Sequence, residues 1–232
     1  MYRIPYIEFI YSVPMSTPPA FPASVPVLGT TTTPKDHLPT FTIIAAYDQA
    51  TRGIGYQNQI PWHVPEDMRF FRITTTQTCD PTRQNAVIMG RRTLESLPEY
   101  GLPGRFHVCL TRSATATTNQ DPESEPNPIE ILYSSSLDEA LCILGQMPSI
   151  ESIYVIGGAQ VYQEAMRHPQ CERILANELM LTPPTLCDSF FPVVDPDIYV
   201  EEEPAPHFRQ TQIKGVLDTK TKLRTRCFRR IR

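Results

Sequence analysis

The run Ile60-Pro61-Trp62-His63-Val64-Pro65-Glu66-Asp67-Met68-Arg69-Phe70-Phe71 holds the only tryptophan of a 232-residue chain, with an aspartate five residues after it and a phenylalanine four further on. Pro65 suits the first position of a helix, where its missing N–H costs nothing. Asp67 then lies in the first turn, where the helix dipole favours negative charge. Phe71 follows one turn later on the same face. One carboxylate beside an apolar wall, with an indole nearby, makes a pocket for a flat, partly polar heterocycle. The plainer alternative is an aspartate that only stabilises its helix, next to ordinary core aromatics.

Other residues suit anion binding. Arg105 follows Pro103-Gly104 and begins a strand; its planar fork can grip a carboxylate bidentately, or it is a surface arginine after a turn. Gly157-Gly158 ends an apolar run and opens a helix. Missing side chains let a ligand approach the backbone there, and a helix N-terminus attracts phosphate. The G-x-G-x-x-G pattern of a standard dinucleotide fold is absent. Gly90-Arg91-Arg92-Thr93 also opens a helix after a strand, and Arg112 follows the next strand. Cations at a helix start oppose the dipole, so an anionic partner accounts for them; a solvated helix face is the alternative.

The elements that must position these groups alternate along the chain. Short apolar runs predict strands at 41–46, 85–89, 106–110, 129–133, 152–156 and 173–179. Helices are predicted from Pro65 to about Gln77, from Arg91 to Leu97, from the capping box at Ser136–Glu139 to Met147, and from Gly158 to Arg167. Strands separated by helices imply a parallel sheet with helices on both faces. Residues 113–128 are polar and proline-containing and read as a surface loop. Near the C-terminus Lys220, Lys222, Arg224 and Arg226 alternate with Thr221, Leu223, Thr225 and Cys227, which reads as an edge-type antiparallel strand with one solvated face. Residues 1–40 carry eight of the 24 prolines and few charges, and read as a largely disordered extension before a catalytic domain at 41–232.

Taken in order, Arg52-Gly53-Ile54-Gly55-Tyr56-Gln57-Asn58-Gln59, the tryptophan–aspartate run, Ala86-Val87-Ile88-Met89-Gly90-Arg91-Arg92-Thr93, Leu102-Pro103-Gly104-Arg105 and Val155-Ile156-Gly157-Gly158-Ala159-Gln160-Val161-Tyr162 resemble the dihydrofolate reductase family. Each segment alone is weak; together, in the family's order and approximate spacing, they are specific. The resemblance runs from about residue 41 to the C-terminus and is densest from Ile54 to Arg105. It implies a three-layer α/β fold with a mostly parallel central sheet, an antiparallel C-terminal strand and helices on both faces. It also implies NADPH-dependent reduction of 7,8-dihydrofolate to 5,6,7,8-tetrahydrofolate, feeding one-carbon metabolism and thymidylate synthesis.

The resemblance further assigns roles. Asp67 and Trp62 are catalytic: the carboxylate accepts hydrogen bonds from the pterin amide N–H and exocyclic amine, orienting and polarising the ring, while water delivers the proton to nitrogen 5. Ile44, Ala46, Asp67, Phe71, Leu97, Leu102, Ile156 and Asn177 are implied at the substrate, with Arg105 on the α-carboxyl of the glutamate tail. Ala46, Ile54, Gly55, Gly90, Arg91, Arg92, Thr93, Thr111, Arg112, Ile156, Gly157, Gly158, Ala159, Gln160, Val161 and Tyr162 are implied at NADPH, with Arg91, Arg92 and Arg112 toward the 2′-phosphate. Residues 53–61 resemble the family's lid, which excludes water. The glycine pair is joined in the family by a cis peptide. The chain departs from the pattern at Leu94, where the family commonly has tryptophan, at Ala159, where many members have a third glycine, and at Asn177, where a threonine usually bonds the acid. Asparagine can donate the same kind of bond. Asp188-Ser189-Phe190-Phe191-Pro192 matches a late family element and supports the register.

Bulk properties bound the alternatives. A formal charge of −4 gives no global attraction to nucleic acid or acidic lipid. Six scattered cysteines without a Cys-x-x-Cys pair argue against a zinc site or a disulfide framework, and no other metal is indicated. Reduced thiols point to a cytoplasmic setting. Mitochondrial targeting by residues 1–40 is an alternative, against which their low arginine content counts. No apolar run reaches membrane-spanning length. The related reductase of riboflavin biosynthesis would need neither the pterin pocket nor Arg105. An RNA-binding module rests only on the basic stretch 214–232, where Phe228 is the single aromatic. The expected partners are dihydrofolate and NADPH, in a monomer or one part of a bifunctional reductase–thymidylate synthase.

Overall fold

The computed structural model describes residues 38–98, 101–112, 130–204 and 222–231. Most of the expected N-terminal extension and the 113–128 loop lie outside these residues. The chain runs β1 (Phe41–Asp48), β2 (Gly53–Gly55), α1 (Pro65–Thr76), β3 (Gln84–Gly90), α2 (Arg91–Ser96), β4 (Arg105–Leu110), β5 (Ile131–Ser134), α3 (Leu137–Gly145), β6 (Ile150–Gly157), α4 (Ala159–Arg167), β7 (Cys171–Met180), β8 (Ser189–Phe190), β9 (Tyr199–Glu202) and β10 (Lys222–Arg230). Eight strands form one sheet in the order β5-β4-β3-β6-β1-β7-β10-β9. Every pairing from β5 to β7 is parallel, and β10 runs antiparallel to both neighbours.

Helices cover both faces, which explains why β1 and β3 read as unbroken apolar runs. On one face Ile43, Ile88 and Val155 pack against Leu137, Leu141 and Leu144 of α3 and Tyr162 and Met166 of α4. On the other, Ile44, Val87, Met89 and Leu175 pack against Phe70 of α1, with Leu94 of α2 beside them. Each fully buried Leu or Ile contributes roughly 1.5–3 kcal/mol, so these two layers fix where α1 and α4 begin. Ser136 caps α3 as expected, accepting from Glu139 N at 3.2 Å, and the Glu139 carboxylate returns to Ser135 N at 2.8 Å. Asn85, wholly buried in β3, donates to the carbonyls of Thr75 and Gln77 and accepts from Ser152 N. It therefore anchors the far end of the helix that carries Asp67.

One expectation is corrected, and three short strands add to those read from the sequence: β2, β8 and β9 hold two to four residues each and lack a readable period. The C-terminal strand is not an edge. β9 pairs along its outer side, and Glu201, Glu202 and, from β7, Glu178 meet its arginines: Arg226 to Glu201 at 2.8 Å and to Glu178 at 3.3 Å, Arg224 to Glu201 at 3.3 Å, Arg229 to Glu202 at 3.0 Å. The alternating cations thus face carboxylates as well as solvent. All six cysteines are free thiols. Among the described residues no helix is long and apolar enough to cross a membrane.

Candidate functional site

Asp67 enters the protein interior from the first turn of α1. Pro65 occupies the start of the helix, and the N-cap, Val64, supplies no side-chain cap. Asp67 is 9% exposed. Asn177, on β7 opposite Ala46 of β1, donates from Nδ2 to Asp67 Oδ1 at 2.8 Å. The Thr225 hydroxyl of β10 donates to Asn177 Oδ1, the other end of the same amide, at 2.7 Å. Burial pushes the Asp67 carboxyl up from 3.8 to about 6, opposed by Asn177 and then by the Trp62 indole. The indole favours the charged form, yet its buried Nε1 makes no hydrogen bond of ordinary geometry. A buried tryptophan N–H and a buried carboxylate therefore stand beside each other with hydrogen-bonding capacity left over. A flat heterocycle carrying N–H donors suits such a place. Ile44 is buried below it, and Phe71, Leu97 and Ile156 border the same apolar layer half-buried. His63 is exposed.

Arg105 is 6% exposed rather than a surface arginine. Its Nε faces the carbonyls of Leu102 and Pro103 at 3.3 and 3.2 Å, its Nη1 donates to Thr75 Oγ1 at 2.9 Å, and its guanidinium lies 5.8 Å from the Phe71 ring centre. The turn beside it is held by His107, whose Nε2 accepts from Leu102 N at 2.9 Å. Burial, with the Arg105 charge adding to it, lowers His107 to about 4, so the ring is neutral and remains an acceptor at physiological pH. A buried guanidinium next to the Asp67–Phe71 helix is a strong recognition point for a carboxylate.

The glycine segments meet because β3 and β6 are neighbours, with Met89 opposite Gly157. The Gly157-Gly158 peptide is cis. Gly157 has φ +107, and a Cβ there would lie 2.8 Å from the Tyr162 ring, so the fold itself requires glycine. Gly158 differs: a Cβ would meet only Thr93 Oγ1, at 3.4 Å, an ordinary contact. Packing within the protein does not demand a bare Cα at this second position, which leaves open backbone there. α2 and α4 both start here, capped by Gly90 and Gly158 without a side-chain hydrogen bond and without an acidic residue in the first turn. Uncapped N–H groups beside open backbone fit a phosphate-bearing group. Arg91, Arg92 and Arg112 are exposed at this end of the sheet, Arg91 lying 3.6 Å from Glu95. Thr111 N is engaged with Ser134 O. Ala159, Gln160 and Val161 form the first turn of α4, with Gln160 exposed. Tyr162 points inward instead: wholly enclosed, it donates to Ile44 O at 2.9 Å and supports the glycine turn from below. Among the described residues no group of three His, Cys, Asp or Glu could hold a metal ion.

The segment carrying Ile54 and Gly55 is tied back to the late element matched by the sequence. β2 pairs with β8, Asp188 N donates to Gly55 O at 3.0 Å, and Gln57 N donates to Asp188 Oδ2 at 2.9 Å. Arg52, Gln57 and Asn58 all have positive φ, so this strip turns sharply before Trp62. A side chain at Gly53 would collide with Cys187. Four contributors escaped the sequence reading: Thr225, Thr75, His107 and the side-chain role of Asp188. Thr225, Thr75 and Asp188 act between segments distant in the chain, where local spacing carries no signal; His107 acts within its own turn, where an isolated histidine has no distinctive pattern.

A family profile described as dihydrofolate reductase matches residues 40–221. A dihydrofolate reductase of Drosophila melanogaster is 37% identical over 154 residues, covering 66% of this chain and 79% of the relative. One from Heliothis virescens is 34% identical over 174 residues, covering 73% of this chain and 89% of the relative. A bifunctional dihydrofolate reductase-thymidylate synthase of Daucus carota is 37% identical over 179 residues, 75% of this chain; the chain spans 32% of that longer relative.

Proposed function

The chain belongs to the dihydrofolate reductase family, and from that premise we propose that it reduces 7,8-dihydrofolate to tetrahydrofolate with NADPH as cofactor. The observation that carries the reading is the buried Asp67, bonded by Asn177 and flanked by Trp62, Phe71 and Arg105. NADPH, when bound, supplies the hydride. Gly90, Thr93, Gly157 and Gly158, with the starts of α2 and α4, would hold its phosphates, and Arg91, Arg92 and Arg112 its 2′-phosphate.

Asp67 does the anchoring. Ionised above about pH 6, it accepts the pterin's amide N–H and amine, which fixes the ring and favours its electrophilic form. Asn177 occupies one carboxylate oxygen and leaves acceptor capacity on the other. Arg105 would bind the α-carboxyl of the glutamate tail, with Thr75 and the Leu102 and Pro103 carbonyls holding the guanidinium in place. Residues 53–61, tied to Asp188 through Gln57, would close over the reacting atoms and exclude bulk solvent. Water carries the proton to nitrogen 5.

The catalytic unit is residues 41–232, and the free thiols suit a reducing, cytoplasmic setting. The chain acts alone or as the reductase part of a bifunctional assembly. Oxidation of NADPH on adding dihydrofolate, followed by absorbance, tests the reading. Turnover with a phosphoribosylamino-pyrimidine but none with dihydrofolate would overturn it.

A further inference from the structure

We propose that Thr225 is a positioning residue for the reaction: by donating to the oxygen of the Asn177 amide whose N–H meets Asp67, it strengthens that bond and keeps the carboxylate in the form that anchors substrate. This deepens the reading above and rests on Asp67 being the substrate-binding acid.

The argument starts from the two ends of an amide. Asn177 is wholly buried. Turned one way it offers N–H to Asp67 and favours the carboxylate; turned the other it offers an oxygen, which only a protonated Asp67 could satisfy. The amide has no preference of its own. Thr225 sits directly opposite Asn177 across the β7–β10 ladder, and its hydroxyl lies 2.7 Å from Oδ1. A hydroxyl can donate or accept; here it donates to Oδ1, which leaves Nδ2 on Asp67, at 2.8 Å, and polarises that N–H toward the carboxylate. Hydroxyl, amide and carboxylate then form one chain whose dipoles all point at the negative charge, each strengthening the next.

The other groups around Asp67 leave this chain a real influence. Trp62 approaches from the loop before α1 and also favours the charge. Tyr162 of α4 stays neutral, raised by burial and then by Asp67 itself, and its hydroxyl is committed to Ile44 O. Glu178 and Arg226, the neighbours of Asn177 and Thr225 on β7 and β10, pair with each other and lie on the opposite face by strand alternation. Among the described residues no cation helps to hold Asp67 charged. A carboxyl titrating at about 6 is also placed where gaining or losing a donor changes its state near neutral pH.

Carbon-13 NMR of the full chain, labelled at aspartate carboxyls and free of ligand, tests this directly; the Asp67 resonance is the one missing from Asp67→Asn. Thr225→Val, with Thr225→Ala as a second hydroxyl-free variant, should raise the Asp67 midpoint by roughly half a pH unit, the effect of weakening rather than deleting a bond to charge. Thr225→Ser should leave it in place. Asn177→Ala should raise it at least as far, and Asn177→Ala/Thr225→Val no further, because Thr225 acts only through the amide. With dihydrofolate, Thr225→Val should raise KM at about pH 6 and leave it unchanged at about pH 8, where the acid is ionised either way. An unchanged midpoint, a further rise in the double variant, or an unchanged KM near pH 6 would overturn the proposal. The NMR titration needs no substrate. A wild type that does not reduce dihydrofolate instead defeats the reading of the site.

Discussion

Replacing Asp67 by Asn keeps the shape of the side chain and removes one buried charge, and its two consequences run in opposite directions. In the folded protein burial raises the carboxyl from 3.8 to about 6; in the unfolded chain it titrates near the ordinary value. The folded state therefore binds the proton more tightly, and this group favours folding in acid. As pH rises through the window between about 4 and 6 that advantage disappears. Above it, the ionised Asp67 lowers stability by roughly 3 kcal/mol relative to acid. An amide cannot ionise, so Asp67→Asn should match the wild type near pH 4 and exceed it by up to about 3 kcal/mol near pH 8. The oxygen of the introduced amide can still accept from Asn177, so the variant leaves that donor paired. Urea unfolding of the ligand-free protein at several pH values reads the difference. The same variant should lose most reductase turnover at neutral pH, partly recovering in acid, where dihydrofolate itself is more protonated. A stability gap independent of pH would refute the burial argument. Near-wild-type turnover at neutral pH would refute the anchoring role.

Arg105→Lys loses a buried bidentate fork, and should raise KM for dihydrofolate by an amount on the order of 2–5 kcal/mol while barely affecting a pterin without glutamate; equal losses on both substrates would show that Arg105 binds something else. Replacing Arg91 and Arg112 together by Ala should erase most of the preference for NADPH over NADH, worth about tenfold or more from one charge-assisted bond. NADH kinetics should be little changed, and a retained preference would place the 2′-phosphate elsewhere. His107→Leu leaves the Leu102 N–H without its acceptor and should cost about 1–3 kcal/mol in urea unfolding and raise KM through Arg105; unchanged stability would mean that the turn does not depend on the imidazole.

Elements whose signals are local are legible from the residues alone. A proline before Asp67 starts α1, apolar runs bounded by glycine and proline mark the central strands, and Ser136 with Glu139 caps α3. The spacing within one helix also placed Asp67 and Phe71 together, because a turn of helix has a fixed rise. Resemblance to a known family supplied the register that brought Asn177 to the acid, where the structure puts it. Tertiary structure decided what depends on strand order. Thr225 reaches Asn177 only because β10 lies beside β7 in this register, and a slip by one residue would turn it to the opposite face. Thr75 meets Arg105 only because Asn85 binds α1 down onto β3. The arginines of β10 find Glu201 and Glu202 only once β9 pairs outside them. Such contacts join residues far apart in the chain, and no local period records which distant strand will become the neighbour.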